Sequence, residues 1–344
     1  MIKTLFKLFI LLISVTGLSA AWYWNDYNIY LTQPINIKVE QSVVDKTQAL
    51  FTVKKGDLVV HIADKLHQQG IISRPFYFRL YARLSDNANK IKAGEYRLKE
   101  AMTIVDLVNL FVSGKVYQYS LTIVEGWTSK ETLQAIAKNS QLLHSEAEAL
   151  DETALKKYLH SEYASLEGLF YPDTYFFPQG TSDLQFLKRS YGKMQQVVNE
   201  EWQKRDKNIP LKSAYEALIL ASIVEKESGI SSERSKIAGV FIRRMKKKMR
   251  LQSDPTIIYG MGVRYKGNIR RRDINEKTAY NTYQISRLPP TPIALAGREA
   301  IHAVLHPDKG KSLYFVADGT GGHVFTGNLK DHNRAVRKYL LKKK

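Results

Sequence analysis

Two carboxylates stand two residues apart, Glu225 and Glu227, at the end of the apolar run ALILASIVEKESG (Ala217 to Gly229). A carboxyl group lodged among apolar side chains can act as a general acid near neutral pH, and glycoside hydrolysis ordinarily pairs two of them. Residues two apart on a helix are separated by about 200° around its axis, so these two cannot share a face. Glu227 lies four, three and seven residues after Ile223, Val224 and Leu220, on the apolar stripe. Glu225 instead follows Leu218, Ala221 and Ser222, a smaller and more polar surface. Desolvation and the negative end of the helix dipole both favour the protonated form of Glu227. The same three residues, Glu225, Lys226 and Glu227, also read as a solvated, charged helix end. Gly229 is expected to form a left-handed C-cap, with Ser231 or Ser232 capping a following helix through Ile237, Val240 and Phe241.

Other chemistry-bearing residues are sparser. His302 and His306 are four apart on an expected helix, which is metal spacing in principle, but no helical HExxH and no third ligand accompany them, so neither a metal nor another cofactor is expected. His323, in GGHVF, reads either as a cleft residue or as one that orders a turn. Asp254, before Pro255, reads as a helix N-cap or turn residue.

The elements that would position these groups begin at the N-terminus. MIKTLFK places Lys3 and Lys7 before an uncharged run of 17 residues, Leu8 to Trp24, ending in Trp22, Tyr23 and Trp24. That length just spans a bilayer, and the flanks match the positive-inside rule and an interfacial aromatic belt. A single-pass inner-membrane anchor with the rest of the chain on the periplasmic side is expected; a signal peptide cleaved near Ser19-Ala20-Ala21 is the alternative. Either one exports the remainder. The formal net charge of +19 over 344 residues predicts attraction to a polyanion. Export and the lack of any zinc-finger or RRM signature disfavour nucleic acid as that partner. The absence of cysteine excludes disulfides, thiolate metal sites and a thiol nucleophile.

Beyond a polar, β-rich connection, FTVKKGDLVVHIADKL (Phe51 to Leu66) lies over YRLKEAMTIVDLVNLF (Tyr96 to Phe111) as a weak repeat offset by 45 residues. Each copy reads as a strand turning into a helix, with apolar stripes Val59, Ile62, Ala63, Leu66 and Ile104, Leu107, Val108, Phe111. The first copy resembles a LysM module, a strand-helix fold that binds N-acetylglucosamine polymers. In LTIVEGWTSKETLQAIA a third strand and helix follow, Thr128 and Glu131 having capping-box spacing. EGLFYPDTYFFPQG (Glu167 to Gly180) is broken by Pro172 and Pro178 and reads equally as a packed interdomain loop or an aromatic wall for sugars. From Asp183 the pattern turns helical, with Leu184, Leu187, Tyr191, Met194 and Val198 on one face. The expected organisation is α+β: an anchor over 1–25, a LysM-like domain over 26–120, a connecting unit and aromatic loop over 121–180, and a mainly helical catalytic domain with β-rich insertions over 181–344.

Several motifs recur in one order: KAGEYRL, EGLFYPDTY, ASIVEKESG, MRLQSDPTIIYGMG, TAYNTYQISRLPPTPIA and YFVADGTGGHVFTGNLKDHN. As an ordered set they resemble the lytic murein transglycosylases and, over nearly the whole chain, the MltG (YceG-like) endolytic murein transglycosylase family. The resemblance implies a lysozyme-like catalytic domain. It also selects Glu227, which immediately precedes Ser228 as the catalytic glutamate of these enzymes precedes a serine. Gln252 resembles the glutamine after the catalytic helix, and Tyr280 and Asn281 resemble the cleft-lining AYN element. Tyr283 and Asn281 are then candidates for stabilising a cationic sugar, and His323 for substrate binding. The implied reaction needs one carboxylate, cuts the bond between N-acetylmuramic acid and N-acetylglucosamine, and leaves a 1,6-anhydromuramoyl end. The implied setting is the bacterial inner membrane, with peptidoglycan strands as substrate, proximity to peptidoglycan synthases, and cleavage of nascent strands that terminates elongation. Lys246 to Lys248 and Arg270 to Arg272 read as solvated surface, available to stem-peptide carboxylates or anionic lipid. Thr291 and Leu295 in LPPTPIALAG depart from the family pattern. A non-catalytic peptidoglycan-binding scaffold with a structural Glu227 is the competing reading.

Overall fold

The computed structural model describes residues 2–37, 48–144 and 151–341, so residues 38–47 of the connection expected after the anchor lie outside the described residues. The chain divides into two compact units, Met1–Tyr119 with Phe177–Gln179, and Ser120–Phe176 with Gly180–Lys344.

The first unit begins with helix α1 (Ile2–Thr32), whose 18-residue apolar window has a mean hydropathy of 1.9 and is wholly exposed. It is long and apolar enough to cross a membrane. At 1.5 Å per residue its 31 residues run for about 46 Å, longer than the ~30 Å of a hydrocarbon core. The helix therefore continues past the aromatic residues at 22–24, where the sequence suggests a β-rich connection, and its last turns bury Tyr27, Tyr30 and Leu31. The fold that receives them is built from strand β1 (Gln48–Val53), helices α2 (Val59–Gln68) and α3 (Pro75–Leu84), strand β2 (Gly94–Lys99) and helix α4 (Ile104–Ser113).

Both copies of the repeat form the expected strand and helix. Each helix has one greasy face that it cannot bury alone. The two strands pair antiparallel, Phe51 opposite Tyr96, and the stripes Ile62, Ala63, Leu66 and Ile104, Leu107, Val108, Phe111 meet in one core. Thr103 and Asp106 cap α4 reciprocally, and Gly114, at φ 69°, ends it in the left-handed conformation that glycine favours.

No side chain of its own caps α3. The Tyr30 hydroxyl, brought by α1, instead accepts the backbone N–H groups of Ser73 at 3.0 Å and Arg74 at 2.9 Å. The apolar helix is thus welded to this unit by packing and by a cap.

The second unit contains β3 (Tyr119–Thr122) from its second residue, α5 (Ser129–Ala137), α6 (Glu152–Leu159), most of β4 (Thr174–Phe177), α7 (Asp183–Lys204), α8 (Ala214–Glu227), α9 (Ser231–Lys246), α10 (Asp254–Met261), α11 (Arg271–Asn275), α12 (Arg298–Leu305), the hairpin β5 (Tyr314–Ala317) with β6 (His323–Thr326), and α13 (Leu329–Val336). Helix α8 is its axis. Ala217 to Val224 are all buried, because α7, α9, α10 and α12 pack around it. An apolar helix with no polar face belongs in such a place. On α7 the buried face includes Leu187, Met194 and Val198 of the expected stripe and extends to Phe186, Ser190, Val197 and Glu201, with Leu184 and Tyr191 at its margin. In the aromatic segment Leu169, Phe170 and Tyr175 are buried and Phe176 is exposed, so most of it serves packing.

Two expected caps are absent. Helix α8 ends through Ser228 in an extended conformation, and Gly229 has no positive φ. Ser231 is already helical, with Ile230 at the cap position of α9. The Ser228 hydroxyl bridges the turn instead, accepting from the Ile230 N–H at 3.1 Å and donating to the Ile230 carbonyl at 2.8 Å.

Removing the phenolic hydroxyl that receives α3 should loosen the first unit without emptying its core. Tyr30→Phe is expected to lower the stability of the full chain in detergent by about 1–2 kcal/mol in urea unfolding; an unchanged midpoint would remove the cap from the account.

Candidate active site

The three consecutive charges that end α8 point to three different partners. Glu225 is buried and accepts Arg234 Nη2 at 3.0 Å and the Gly297 N–H at 3.0 Å. Lys226 reaches the Gly126 carbonyl at 3.1 Å. Among the described residues Glu227 accepts a hydroxyl only, from Ser253 Oγ at 2.5 Å. Arg234 also pairs with Glu299 and with Glu125, the latter at 3.4 Å, so the one guanidinium beside this helix end is committed to other acids. Gly297 lets the Glu125 carboxylate lie close: a Cβ at that position would sit 1.9 Å from Glu125 Oε1 and displace that side chain.

Glu227 is enclosed by protein on most sides while its carboxyl keeps some contact with solvent. Burial raises it from an ordinary 4.5 to about 7. The Ser253 hydroxyl opposes that rise, the negative charge of Asp254 adds to it, and His323 opposes it more weakly. Glu227, Ser253, Asp254, Tyr283 and His323 therefore form one electrostatic neighbourhood.

The loop carrying Ser253 is held from below. Gln252 has a left-handed backbone, φ 55°, which costs a side-chain-bearing residue about 1–3 kcal/mol and persists only where neighbours enforce it. Here the Gln252 N–H donates to the Thr282 carbonyl at 3.2 Å and the Ser253 N–H to Thr282 Oγ1 at 2.9 Å. Arg244 is buried beneath the loop and donates to the Leu251 carbonyl at 2.6 Å, Gln252 Oε1 at 3.2 Å and the Leu313 carbonyl at 2.8 Å. Asp254 follows as the first residue of α10, with Ser253 at the cap position, so Asp254 is not an N-cap; it accepts the Tyr283 hydroxyl at 2.7 Å. Burial and that carboxylate raise the Tyr283 phenol above its usual range, which keeps it a donor.

The sequence candidates fall into two groups. Glu227, Tyr283 and His323 come together. Gln252 is exposed at the same loop, its amide oxygen turned to Arg244. Asn281 is fully enclosed: its amide nitrogen donates to the carbonyls of Asp273, Ile274 and Glu276, and its oxygen accepts the Tyr283 N–H at 3.0 Å. It shapes the loop that presents Tyr283 and has no free edge for a sugar. Tyr280 packs on Tyr259, centroids 4.8 Å apart, and bonds Thr291 Oγ1 at 2.9 Å. Thr291, one of the departures from the family pattern, thus has a structural partner. Asp273 is buried and caps α11, accepting the Arg270 N–H at 2.8 Å.

Sequence reasoning did not single out Ser253, Arg244, Glu233 or Thr282. Glu233 holds His323 through Nδ1 at 2.7 Å and its backbone N–H at 3.1 Å, fixing hairpin β5–β6 to α9. Arg244 carried no signal, because it lies in the basic stretch RRMKKK (Arg243 to Lys248), whose three lysines are solvated. Ser253 lay inside RLQSDP, and only the fold shows that it faces Glu227.

A cavity of about 650 Å³ lies elsewhere in this unit, lined by Leu133, Leu155, Glu167, Leu187 and Tyr259, and Glu227 is no part of it. Glu167 there is occupied by the N–H groups of Ser129 and Gly168 and by the Tyr259 hydroxyl.

Residues 51–338 match the model of the YceG-like family. The chain is 32% identical over 314 residues to an endolytic murein transglycosylase of Bacillus subtilis, covering 87% of this chain and 86% of that protein. It is 28% identical over 325 residues to an endolytic murein transglycosylase of Streptococcus pneumoniae, of which it spans 58%. The crystal structure of a YceG-like protein from Listeria monocytogenes superposes with a TM-score of 0.54 at 28% identity, covering 84% of this chain and 99% of that one.

Two outcomes follow from the surroundings of Glu227. Its folded pKa lies above the unfolded value, so the native state takes up a proton, and the stability linked to it is full below about pH 4.5 and lost as pH rises through about 7. Glu227→Gln should therefore be more stable than the parent at pH 8, by up to the order of 3 kcal/mol, and nearly equal at pH 4.5, as read by thermal unfolding at the two pH values. Ser253→Ala removes a donor to the ionised form and should move the Glu227 titration upward by about one pH unit, followed by carboxyl-labelled NMR. A downward move would contradict the assigned hydrogen bond.

Proposed function

The chain belongs to the YceG-like family, and from that premise we propose that it is a membrane-anchored endolytic lytic transglycosylase of peptidoglycan, with Glu227 as its only catalytic carboxylate. The observation that carries the reading is a carboxyl at a helix end, raised to about 7 by burial, bonded to a hydroxyl and to no cation. A group with that pKa is protonated often enough near neutrality to act as an acid and ionises readily enough to act next as a base.

In the proposed reaction protonated Glu227 gives its proton to the oxygen between N-acetylmuramic acid and N-acetylglucosamine. The C1–O4 bond breaks, and the positive charge grows on the muramoyl C1 and ring oxygen. The C6 hydroxyl of the same sugar then closes on C1, and its proton goes to the Glu227 carboxylate. One C–O bond breaks and one forms, the proton returns to the enzyme, and water is neither consumed nor released. The Asp254 carboxylate lies close enough to stabilise the cationic sugar electrostatically, with the Tyr283 hydroxyl orienting it.

The remaining assignments rest on the same reading. The β1-α2-α3-β2 unit is proposed as LysM-like and glycan-binding, and the second unit as the lysozyme-like catalytic domain. The anchor would place both outside the inner membrane, beside nascent strands and their synthases, where a cut ends elongation. The net charge of +19 suits an anionic wall and lipid surface.

A second reading has one observation behind it: Asp254 is an exposed carboxylate in the electrostatic field of Glu227, as a hydrolase with an acid and a base would require. Mass analysis of products from purified glycan strands separates the two. The full chain in detergent should yield anhydromuramoyl ends, lighter by one water than the reducing ends of hydrolysis. Glu227→Gln should lower the rate by about 10²–10⁴-fold. Asp254→Asn should keep the anhydro product and shift the alkaline limb of the pH profile downward, since a negative neighbour is lost. Reducing ends abolished by Asp254→Asn would establish hydrolysis, identical products from the parent and Glu227→Gln would remove Glu227 from the reaction, and no cleavage by the parent would leave a scaffold.

A further inference from the structure

We propose a divalent transition-metal site, of the kind zinc occupies, formed by Glu201, His302 and His306. The two histidines lack a third ligand in the sequence, and the fold supplies it: Glu201 projects from α7 against the end of α12, and one ligand atom of each of the three residues lies within 4.8 Å of the others. His302 Nδ1 is 2.9 Å from Glu201 Oε2, and the two imidazoles stack with centroids 4.3 Å apart. Two donors each about 2.1 Å from one ion and at right angles to it stand about 3 Å apart, so the first separation serves a shared cation as well as a hydrogen bond.

Four features favour the cation. His306 Nε2 is buried and has no hydrogen-bond partner, an unusual state for an imidazole nitrogen. Arg298 Nη1 donates to Glu201 Oε1 at 2.6 Å, the kind of outer contact that orients a ligating carboxylate while leaving Oε2 available. The surrounding charges are Glu200, Glu201 and Asp206 against Arg298 and Lys204, three acids to two bases, so a net negative charge remains for a cation to offset. Finally, both histidines stand at the C-terminal end of α12, where the helix dipole attracts positive charge. Two imidazoles and one carboxylate suit zinc and its neighbours over magnesium or calcium, which prefer oxygen donors. The ion would cross-link α7 to α12, and α12 packs directly on α8, the helix that ends in Glu227.

The test uses the tag-free full chain in detergent, titrated with zinc chloride against a chromophoric chelator. One equivalent should bind saturably, and His306→Gln and His302→Gln, shown to be folded by circular dichroism, should each weaken it by about tenfold or more. His160→Asn, at an exposed position on another helix, should bind as the parent does. With free zinc about ten times the dissociation constant, the thermal midpoint of the parent should rise by about 3–6 °C, and that of the two variants should not. Should a variant fail to fold, zinc-edge X-ray absorption of the parent must show two imidazoles in the ligand shell. No stoichiometric binding, equal binding by both variants, or fewer than two imidazoles would overturn the site. None of these readouts depends on glycan cleavage, so the site and the proposed reaction fail separately.

Discussion

The arrangement of the second unit turns on one allocation: Arg234 is paired with Glu225 and not with Glu227. Two carboxylates leave the same helix end two residues apart, and a single guanidinium lies within reach of that end. Placed against Glu227, it would hold the carboxylate ionised, because an opposite charge within a few ångström favours the charged form. Placed against Glu225, with the Gly297 N–H on the other oxygen, it stabilises the acid to which the proposed reaction assigns no step. Glu227 is left with a neutral hydroxyl, and desolvation decides its state. The side chains that make this possible are modest. Gly297 provides room for Glu125 and its N–H for Glu225, and Lys226 is drawn off to a carbonyl.

The loops around Glu227 follow the same logic of neutral contacts held by charged groups placed one step back. Arg244 lies under the Leu251–Gln252 turn and donates to backbone and amide oxygens, so its charge steadies the loop from beneath. Asn281 ties three carbonyls together and presents Tyr283 through a single N–H. Glu233 holds His323 on its hairpin. The strained left-handed Gln252 fits this picture, since the two hydrogen bonds that Thr282 accepts from this turn enforce a backbone that residue would otherwise avoid.

How much of this could be read in the sequence depends on whether a feature is periodic or convergent. The repeat stripes, the capping box at Thr128, the central helix and the apolar N-terminal run are periodic signals with local causes, and the structure has them. The separation of Glu225 from Glu227 was also legible, because it needs only 100° per residue. Ser253 lies 26 residues from Glu227, and Glu201 lies 101 residues from His302; no local pattern reports such meetings. The caps at Gly229 and Ser231 were misread for a different reason. Gly and Ser are favoured at helix ends, but Ser228 bridged the turn with its own hydroxyl and made both preferences unnecessary. The role of Asn281 was obscured because a buried amide that shapes a loop and an exposed amide that binds a sugar leave the same letter in the sequence.

The absence of a cation beside Glu227 has a consequence beyond its pKa. In the proposed reaction positive charge develops on the sugar a few ångström from the acid, so a lysine or arginine in contact would both depress the acid and repel the charge being formed. The groups near Glu227 are a hydroxyl, an exposed carboxylate and a phenol, together with an imidazole already paired to Glu233. Asp254 raises the Glu227 pKa through its negative charge, and in the proposed reaction that same charge would have the favourable sign toward the cationic sugar. Among the described residues no lysine or arginine bonds Glu227, the nearby Arg244 being turned to backbone and amide oxygens under the loop, and in the proposed reaction that leaves one carboxylate to serve as acid and base in turn.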